Sequence, residues 1–119
     1  MVKIDIDVTD HPQNKHITLL SVKGQIDTLT APEFASKLHS VLENKRYKLI
    51  IDLNGVDYIG SAGWGVFISG IKEIREQEGD LVLAGMNVGV LEVYHSLEFG
   101  SILKAFPTVE SALKKGFRN

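Results

Sequence analysis

The chain has 119 residues and a mass of 13.1 kDa, with 44% hydrophobic and 24% charged residues. This composition is typical of one folded domain with a core and excludes a disordered or collagen-like chain. Cysteine is absent, which excludes disulfides, thiolate metal sites and a cysteine nucleophile. The net charge of -2 predicts no nucleic-acid binding, and no apolar run approaches the roughly 20 residues of a membrane helix. We therefore expect a cytoplasmic protein without membrane insertion.

The first two predicted elements are strands. Apolar side chains alternate with polar ones over residues 2–8, beginning at Val2, the period of two that indicates a strand with one wet face. A polar stretch over 9–15 follows, and then a β-rich run over 17–22 that ends near Gly24. Two successive strands joined by a polar turn indicate a hairpin.

An amphipathic helix is predicted next. Thr30 is expected as its N-cap, with Pro32 in the first turn and Glu33 completing a capping box. The apolar stripe of this helix consists of Phe34, Leu38, Val41 and Leu42.

Strands and helices alternate through the rest of the chain. The apolar run 48–53 predicts a central strand covered on both faces, followed by a loop through Asn54 and Gly55. A helix is expected over 61–78, ending at Gly79 and Asp80. A buried strand over 81–84 comes next.

The last predicted elements are two helices that flank a short strand at 102–106. The first is opened by Asn87 and the second is capped by Thr108. The expected core positions of the two helices are Val90, Val93, Tyr94 and Leu97, and Val109, Ala112, Leu113 and Phe117. The predicted fold is α/β, with a mixed sheet of about five strands covered by about four helices.

The segment DLNGVDYIGSAGWG at 52–65 leaves a buried strand and enters a helix, where sites form in open α/β sheets. Ser61 is the expected N-cap of that helix, and Gly63 and Gly65 would let another chain approach its first turn. A serine that only caps the helix, with glycines that only relieve packing, explains the same residues without a function.

The stretch DLNGVDYIGSAGWGV at 52–66 resembles the central signature of STAS domains, specifically of small bacterial anti-sigma factor antagonists. In that family a D-L-S-x-V-x-[FY]-[IM]-D-S-[SA]-G-L-G-V pattern carries a regulatory phosphoserine. The stretch GQIDTLTA at 24–31 is similar to the family's G-E-[LI]-D-x-x-[TN]-A. The predicted element order also matches, so the resemblance implies one STAS domain over residues 1–119.

The resemblance implies a binding switch and not an enzyme, with no cofactor and no metal of its own. The unphosphorylated chain would sequester an anti-sigma factor serine kinase, which binds the ATP, and so release a sigma factor. That kinase would inactivate the chain by phosphorylating Ser61, and a PP2C-type phosphatase would reset it. The residues expected to contact the partner are Asp27, Thr28, Gly60, Ser61, Ala62, Gly63 and Trp64.

The chain departs from the family pattern near the expected phosphoserine. Gly60 stands where the family has Asp, Gln25 where it has Glu, and Ala62 where a second Ser is common. Without those acidic groups, a docking module of a signalling or transport assembly that is never phosphorylated is the alternative. Trp64 replaces Leu and fits either a core aromatic or a partner contact.

A receiver-like phosphoaspartate domain is a further alternative. Asp52 ends a predicted strand and Lys104 stands near the last one. The opening hairpin argues against it, as does the placement of Asp5 and Asp7 within the first strand, because magnesium needs carboxylates at that strand's end. Metal-ligand spacing is absent among His11, His16, His39 and His95.

Overall fold

The computed structural model describes residues 3–117. Its strands are β1 (Ile4–His11), β2 (Asn14–Ile26), β3 (Lys48–Ile59), β4 (Asp80–Ala84) and β5 (Lys104–Phe106). Its α-helices are α1 (Ala31–Glu43), α2 (Ser61–Glu76), α3 (Val88–Ser96) and α4 (Val109–Lys115), and a 3-10 helix spans Phe99–Ser101. The predicted hairpin and the alternation of strands and helices are confirmed, while Val2 lies outside the described residues.

The five strands form one mixed sheet in the order β1-β2-β3-β4-β5. The hairpin pairs β1 with β2 antiparallel, and every later neighbour is parallel. The strands β2 and β3 end side by side, since Ile26 pairs with Ile59, whereas β4 and β5 end level with Asp52 in the middle of β3. We call the shared end of β2 and β3 the carboxyl edge; the segments that follow it are 27–30 and 60–61.

Helices pack on both faces of the sheet, three α-helices on one face and one on the other. The larger core joins one face to α1, α2 and α3. The smaller core joins Ile17, Ile50, Val82 and Ala84 to α4 on the opposite face. In β3, Leu49 and Ile51 belong to the larger core and Ile50 to the smaller one, which confirms the prediction of a central strand buried on both faces.

The predicted loop through Asn54 and Gly55 is wrong, because β3 continues to Ile59. Its second half stays paired with β2, which spans 13 residues, with register shifts on either side of Lys23 and Gly24. A Cβ on Gly55 would meet Cγ of Lys23 at 2.7 Å. Gly55 therefore permits a close strand contact and does not mark a turn.

The ends of α2 and the face of α3 also differ from expectation. The helix α2 ends at Glu76, and the left-handed residue after it is Glu78, with φ of 60°, not Gly79. A Cβ on Gly79 would lie 1.8 Å from the carbonyl oxygen of Tyr47, so close approach explains this glycine. In α3 only Val90 and Tyr94 are buried, and the expected core residues Val93 and Leu97 are exposed.

The predicted strand at 102–106 is shortened to Lys104–Phe106 because the 3-10 helix occupies the preceding turn. The expected helix starts are confirmed at both ends of this region. Asn87 accepts the N–H of Val90 at 2.8 Å, and Thr108 forms a capping box with Ser111.

Candidate functional site

The two motifs of the sequence lie next to each other at the carboxyl edge. Ile26 pairs with Ile59 at the ends of β2 and β3. The N–H of Gly60 donates to the carbonyl oxygen of Ile26 at 2.8 Å. The segment 27–30 and the first turn of α2 are therefore held against each other by the sheet itself.

Asp27 organises the segment that leads into α1. Its Oδ1 accepts the N–H groups of Leu29 at 3.0 Å and Thr30 at 3.1 Å. In return, Oγ1 of Thr30 accepts the N–H of Asp27 at 3.0 Å and donates to the carbonyl oxygen of Gln25 at 2.7 Å. This reciprocal pair is a capping box, displaced by three residues from the predicted one. The expected pairing of Thr30 with Glu33 is wrong because the Thr30 hydroxyl is buried in the preceding turn.

Ser61 is exposed and is the first residue of α2, not its N-cap. Gly60 occupies the cap position with φ of -89° and ψ of 177°, and its carbonyl oxygen accepts from Gly63 and Trp64. The expected capping role of Ser61 is therefore wrong. Its hydroxyl is placed outside the cap, at the positive end of a 16-residue helix.

The two glycines of the first turn have different surroundings. A Cβ on Gly63 would lie 2.7 Å from Cγ2 of Ile26 and 2.9 Å from Cγ2 of Ile59, so this position serves internal packing. A Cβ on Gly65 would have no neighbour within 4 Å. Ser61, Gly65 and Ser69 are exposed at intervals of four residues, which leaves the outer face of α2 flat beside the serine.

Trp64 belongs to the core. Its side chain is 2% exposed, and its ring stacks on Phe99 with centroids 4.8 Å apart. The rings of Phe67 and Tyr94 lie 5.8 and 6.3 Å away. The expectation that Trp64 contacts a partner directly is wrong, because the packing of α2 turns this side chain inward; the indole N–H has no hydrogen-bond partner among the described residues.

Two exposed apolar side chains at the carboxyl edge were not expected from the sequence. Leu29, in the segment 27–30, is 75% exposed, and Tyr58, near the end of β3, is 53% exposed. The Tyr58 hydroxyl lies 3.2 Å from a Cβ built on Gly60, so the phenol borders the position where the family pattern has Asp. Leu29 stands within the motif at 24–31 and Tyr58 within the motif at 52–66, but neither motif predicts that the side chain is exposed.

The geometry contradicts the receiver-like alternative. Asp52 lies in the middle of β3. Its Oδ1 accepts hydrogen bonds from the backbone N–H of Asn54 at 3.0 Å and from Nδ2 of the same asparagine at 2.7 Å. Lys104 begins β5, at the opposite end of the strands from the segments that follow them, and its Nζ lies 3.0 Å from a carboxylate oxygen of Asp80.

Across residues 3–117 the structure shows no acidic or histidine cluster able to hold a metal ion. None of the helices within that range is long and apolar enough to cross a membrane.

Comparison with known proteins identifies the family. The model of the STAS domain matches residues 8–112. The chain belongs to the STAS domain family. This confirms both the family and the fold expected from the motifs at 24–31 and 52–66.

Curated STAS relatives are similar over most of their length. The anti-sigma-B factor antagonist of Bacillus subtilis is 30% identical over 93 residues, covering 78% of this chain and 82% of that protein. The anti-sigma-B factor antagonist of Listeria monocytogenes is 29% identical, covering 87% of this chain and 89% of that protein. The crystal structure of an anti-sigma factor antagonist from Mycobacterium paratuberculosis has a TM-score of 0.84 at 24% identity, covering 94% and 92% of the two chains.

Proposed function

We propose that this STAS domain is an anti-sigma factor antagonist that is switched off by phosphorylation of Ser61. The observation that carries the proposal is the placement of Ser61, which is exposed, outside the cap of α2 and beside the Asp27 segment. The hydroxyl is thus accessible to a kinase. The relatives named as anti-sigma factor antagonists support the regulatory class.

In the unphosphorylated state, the carboxyl edge would bind an anti-sigma factor serine kinase and displace its sigma factor. The surface offers the exposed Thr28, Ser61 and the open face beside Gly65. Ala62 is half-buried and contributes its backbone more than its side chain. Asp27 contributes chiefly by holding the segment in shape, since its Oδ1 accepts hydrogen bonds from that same segment.

Phosphorylation would transfer the γ-phosphoryl group of kinase-bound ATP to Oγ of Ser61, with ADP as the leaving group and the hydroxyl proton passing to the kinase. The phosphate adds about 1.5 to 2 negative charges. At this helix terminus, free N–H groups and the helix dipole tolerate an anion. The apolar side chains of Leu29 and Tyr58 beside it make the same charge costly to bury against a partner. Phosphorylation would therefore weaken binding without unfolding the domain.

All bond-making chemistry in this scheme belongs to the partners. The kinase binds ATP, a PP2C-type phosphatase hydrolyses the phosphoserine, and the STAS domain presents the acceptor without a cofactor. Gly60 removes the carboxylate that usually precedes the serine, so the kinase must recognise this site without it.

The test is intact-mass measurement after incubation with ATP and each anti-sigma factor serine kinase of the host. We expect one added phosphate on the wild type and on Ser69→Ala, the matched control two turns along the exposed face of α2. We expect none on Ser61→Ala. A phosphate that persists in Ser61→Ala would place the acceptor elsewhere, and tight binding without any phosphorylation would favour the constitutive docking module.

A further inference from the structure

A cavity of about 530 Å³ opens between α3, the 3-10 helix and β5, the last strand of the sheet. Its walls are mainly apolar and include Met86, Leu91 and Pro107. The volume lies within the range of about 300 to 1,000 Å³ that is usual for small-molecule sites. Apart from the exposed His95, no basic or acidic side chain of residues 3–117 lines the cavity, so its walls favour an uncharged ligand.

The cavity runs along the outer edge of β5. Ala105 packs against the larger core and Phe106 against the smaller one, so their side chains point to opposite faces of the sheet. Both residues line the cavity, and a space that both can line lies at the edge of the strand, beside its backbone. A ligand in the cavity would therefore meet main-chain groups as well as apolar side chains.

Ala105 directs its N–H and its carbonyl oxygen toward this edge. In the parallel pairing with β4, the N–H of Gly85 donates to the carbonyl oxygen of Phe106 at 3.1 Å, so the main-chain groups of Phe106 face β4. Main-chain groups of successive strand residues point to opposite sides, and those of Ala105 therefore face away from β4. No strand follows β5 in the sheet, and no hydrogen bond from elsewhere in residues 3–117 reaches this pair.

The unpaired donor and acceptor of Ala105 stand alone, because the positions on either side of them are closed. The N–H of Leu103 donates to the carbonyl oxygen of Phe99 at 2.8 Å, and its carbonyl oxygen accepts the hydroxyl of Tyr94. Pro107 has no N–H. An added peptide strand is held by a series of main-chain hydrogen bonds, so this edge fits a small ligand and not a strand.

We propose that the cavity binds an uncharged small molecule that has a primary amide or lactam group and an apolar body. In these groups the carbonyl oxygen and an N–H lie on the same side. They can therefore accept from the N–H of Ala105 and donate to its carbonyl oxygen at the same time. The apolar body would lie against Met86 and Leu91. The cavity shares no residue with the surface around Ser61, so this proposal is independent of the proposed function.

The probe is benzamide, a planar primary amide, titrated into isotope-labelled protein and followed in two-dimensional NMR spectra. N,N-dimethylbenzamide keeps the ring and the carbonyl group but has no N–H, and it is the matched control ligand. We expect benzamide to cause a saturable shift of the Ala105 N–H signal. The Kd of the dimethyl compound should be at least about fivefold higher, because the hydrogen bond to the carbonyl oxygen of Ala105 is lost.

Ala105→Pro removes the N–H of the strand itself. Proline is tolerated on an edge strand where the N–H faces away from the sheet, so this variant should fold. Thermal melts and the fluorescence of Trp64, the single tryptophan, check the folding. Followed on the signals of Met86 and Leu91, its Kd for benzamide should rise at least about tenfold. Ala105→Ser keeps the N–H and should stay within about twofold of the wild type.

Equal Kd values of the wild type for benzamide and its dimethyl analogue would overturn the assignment of an amide ligand, even if Ala105→Pro does not fold. Unchanged benzamide binding by a folded Ala105→Pro would overturn the role of the N–H. Shifts confined to other parts of the chain, or no saturation up to about 20 mM benzamide, would overturn the site itself. None of these results depends on phosphorylation of Ser61, so the two proposals fail separately.

Discussion

Asp27 and Thr30 cap each other across one turn. The carboxylate of Asp27 accepts the N–H of Thr30 at 3.1 Å, and the hydroxyl of Thr30 accepts the N–H of Asp27 at 3.0 Å. Asp27, the acidic residue of the family motif, therefore stabilises the conformation of its own segment without contacting a partner protein. The segment it shapes lies against the first turn of α2 through the bond from Gly60 to Ile26.

Asp27→Ala should lower the free energy of unfolding by about 0.5 to 2 kcal/mol, the usual cost of removing a capping side chain. Asp27→Asn should keep most of this stability, since an amide oxygen can accept the same bonds. Urea unfolding measures both. If Asp27→Asn is as stable as the wild type but binds the partner more weakly, the loss of affinity is due to the missing negative charge and not to a changed shape of the segment. Wild-type stability in Asp27→Ala would contradict the capping role.

Ser61→Asp should stay folded and lose affinity for the anti-sigma factor. The first turn of α2 contains no acidic residue, and a carboxylate there is favoured by about 0.3 to 1 kcal/mol. Ser61→Ala should change the free energy of unfolding by less than about 0.5 kcal/mol, because this hydroxyl does not cap the helix. Thermal melts and a binding titration separate the two effects. A large fall in the Tm of Ser61→Asp would indicate that a charge acts by local unfolding.

Patterns that depend on periodicity were predictable from the sequence. The alternation from residue 4 and the stripe beginning at Phe34 each correspond to an observed element with one buried face, and the continuous apolar run at 48–53 corresponds to a strand buried on both faces. The caps at Asn87 and Thr108 were predictable as well, since each side chain bonds within its own first turn.

Features decided by tertiary contacts were not predictable. Thr30 has the right type and spacing to cap α1, but its hydroxyl is engaged with Asp27 and Gln25 in the preceding turn. Ser61 was expected as a cap because serine is common there, whereas pairing of β2 with β3 places Gly60 in the cap position. The inward direction of Trp64 depends on Phe99 and Tyr94, which belong to distant segments.

The two glycines flanking Trp64 should respond in opposite directions to alanine. Gly63→Ala places a methyl group within 3 Å of Ile26 and Ile59, so we expect a loss of about 1 to 3 kcal/mol in the free energy of unfolding. Gly65→Ala has open space, and we expect a gain of about 0.5 to 1 kcal/mol from helix propensity. Chemical denaturation of the two variants checks the contrast. Equal effects would show that the start of α2 relaxes around the added methyl group.

Tyr94 should make the domain less stable at alkaline pH. Burial raises the pKa of its phenol above the ordinary value of 10.0, and the hydroxyl donates to the carbonyl oxygen of Leu103. In the unfolded chain the phenol ionises near pH 10, while in the folded chain it remains neutral to higher pH. Its contribution to stability is therefore complete below about pH 10 and is lost as the pH rises through the folded-state pKa.

Urea unfolding at a series of pH values between 8 and about 11 measures this loss. Tyr94→Phe should be less stable than wild type at neutral pH, because the carbonyl oxygen of Leu103 loses its donor, yet should show a shallower alkaline decline. Tyr58→Phe, which removes an exposed phenol, is the matched control and should follow the wild-type curve. An alkaline decline in Tyr94→Phe as steep as that of wild type would assign the effect to other groups and leave Tyr94 without a role in it.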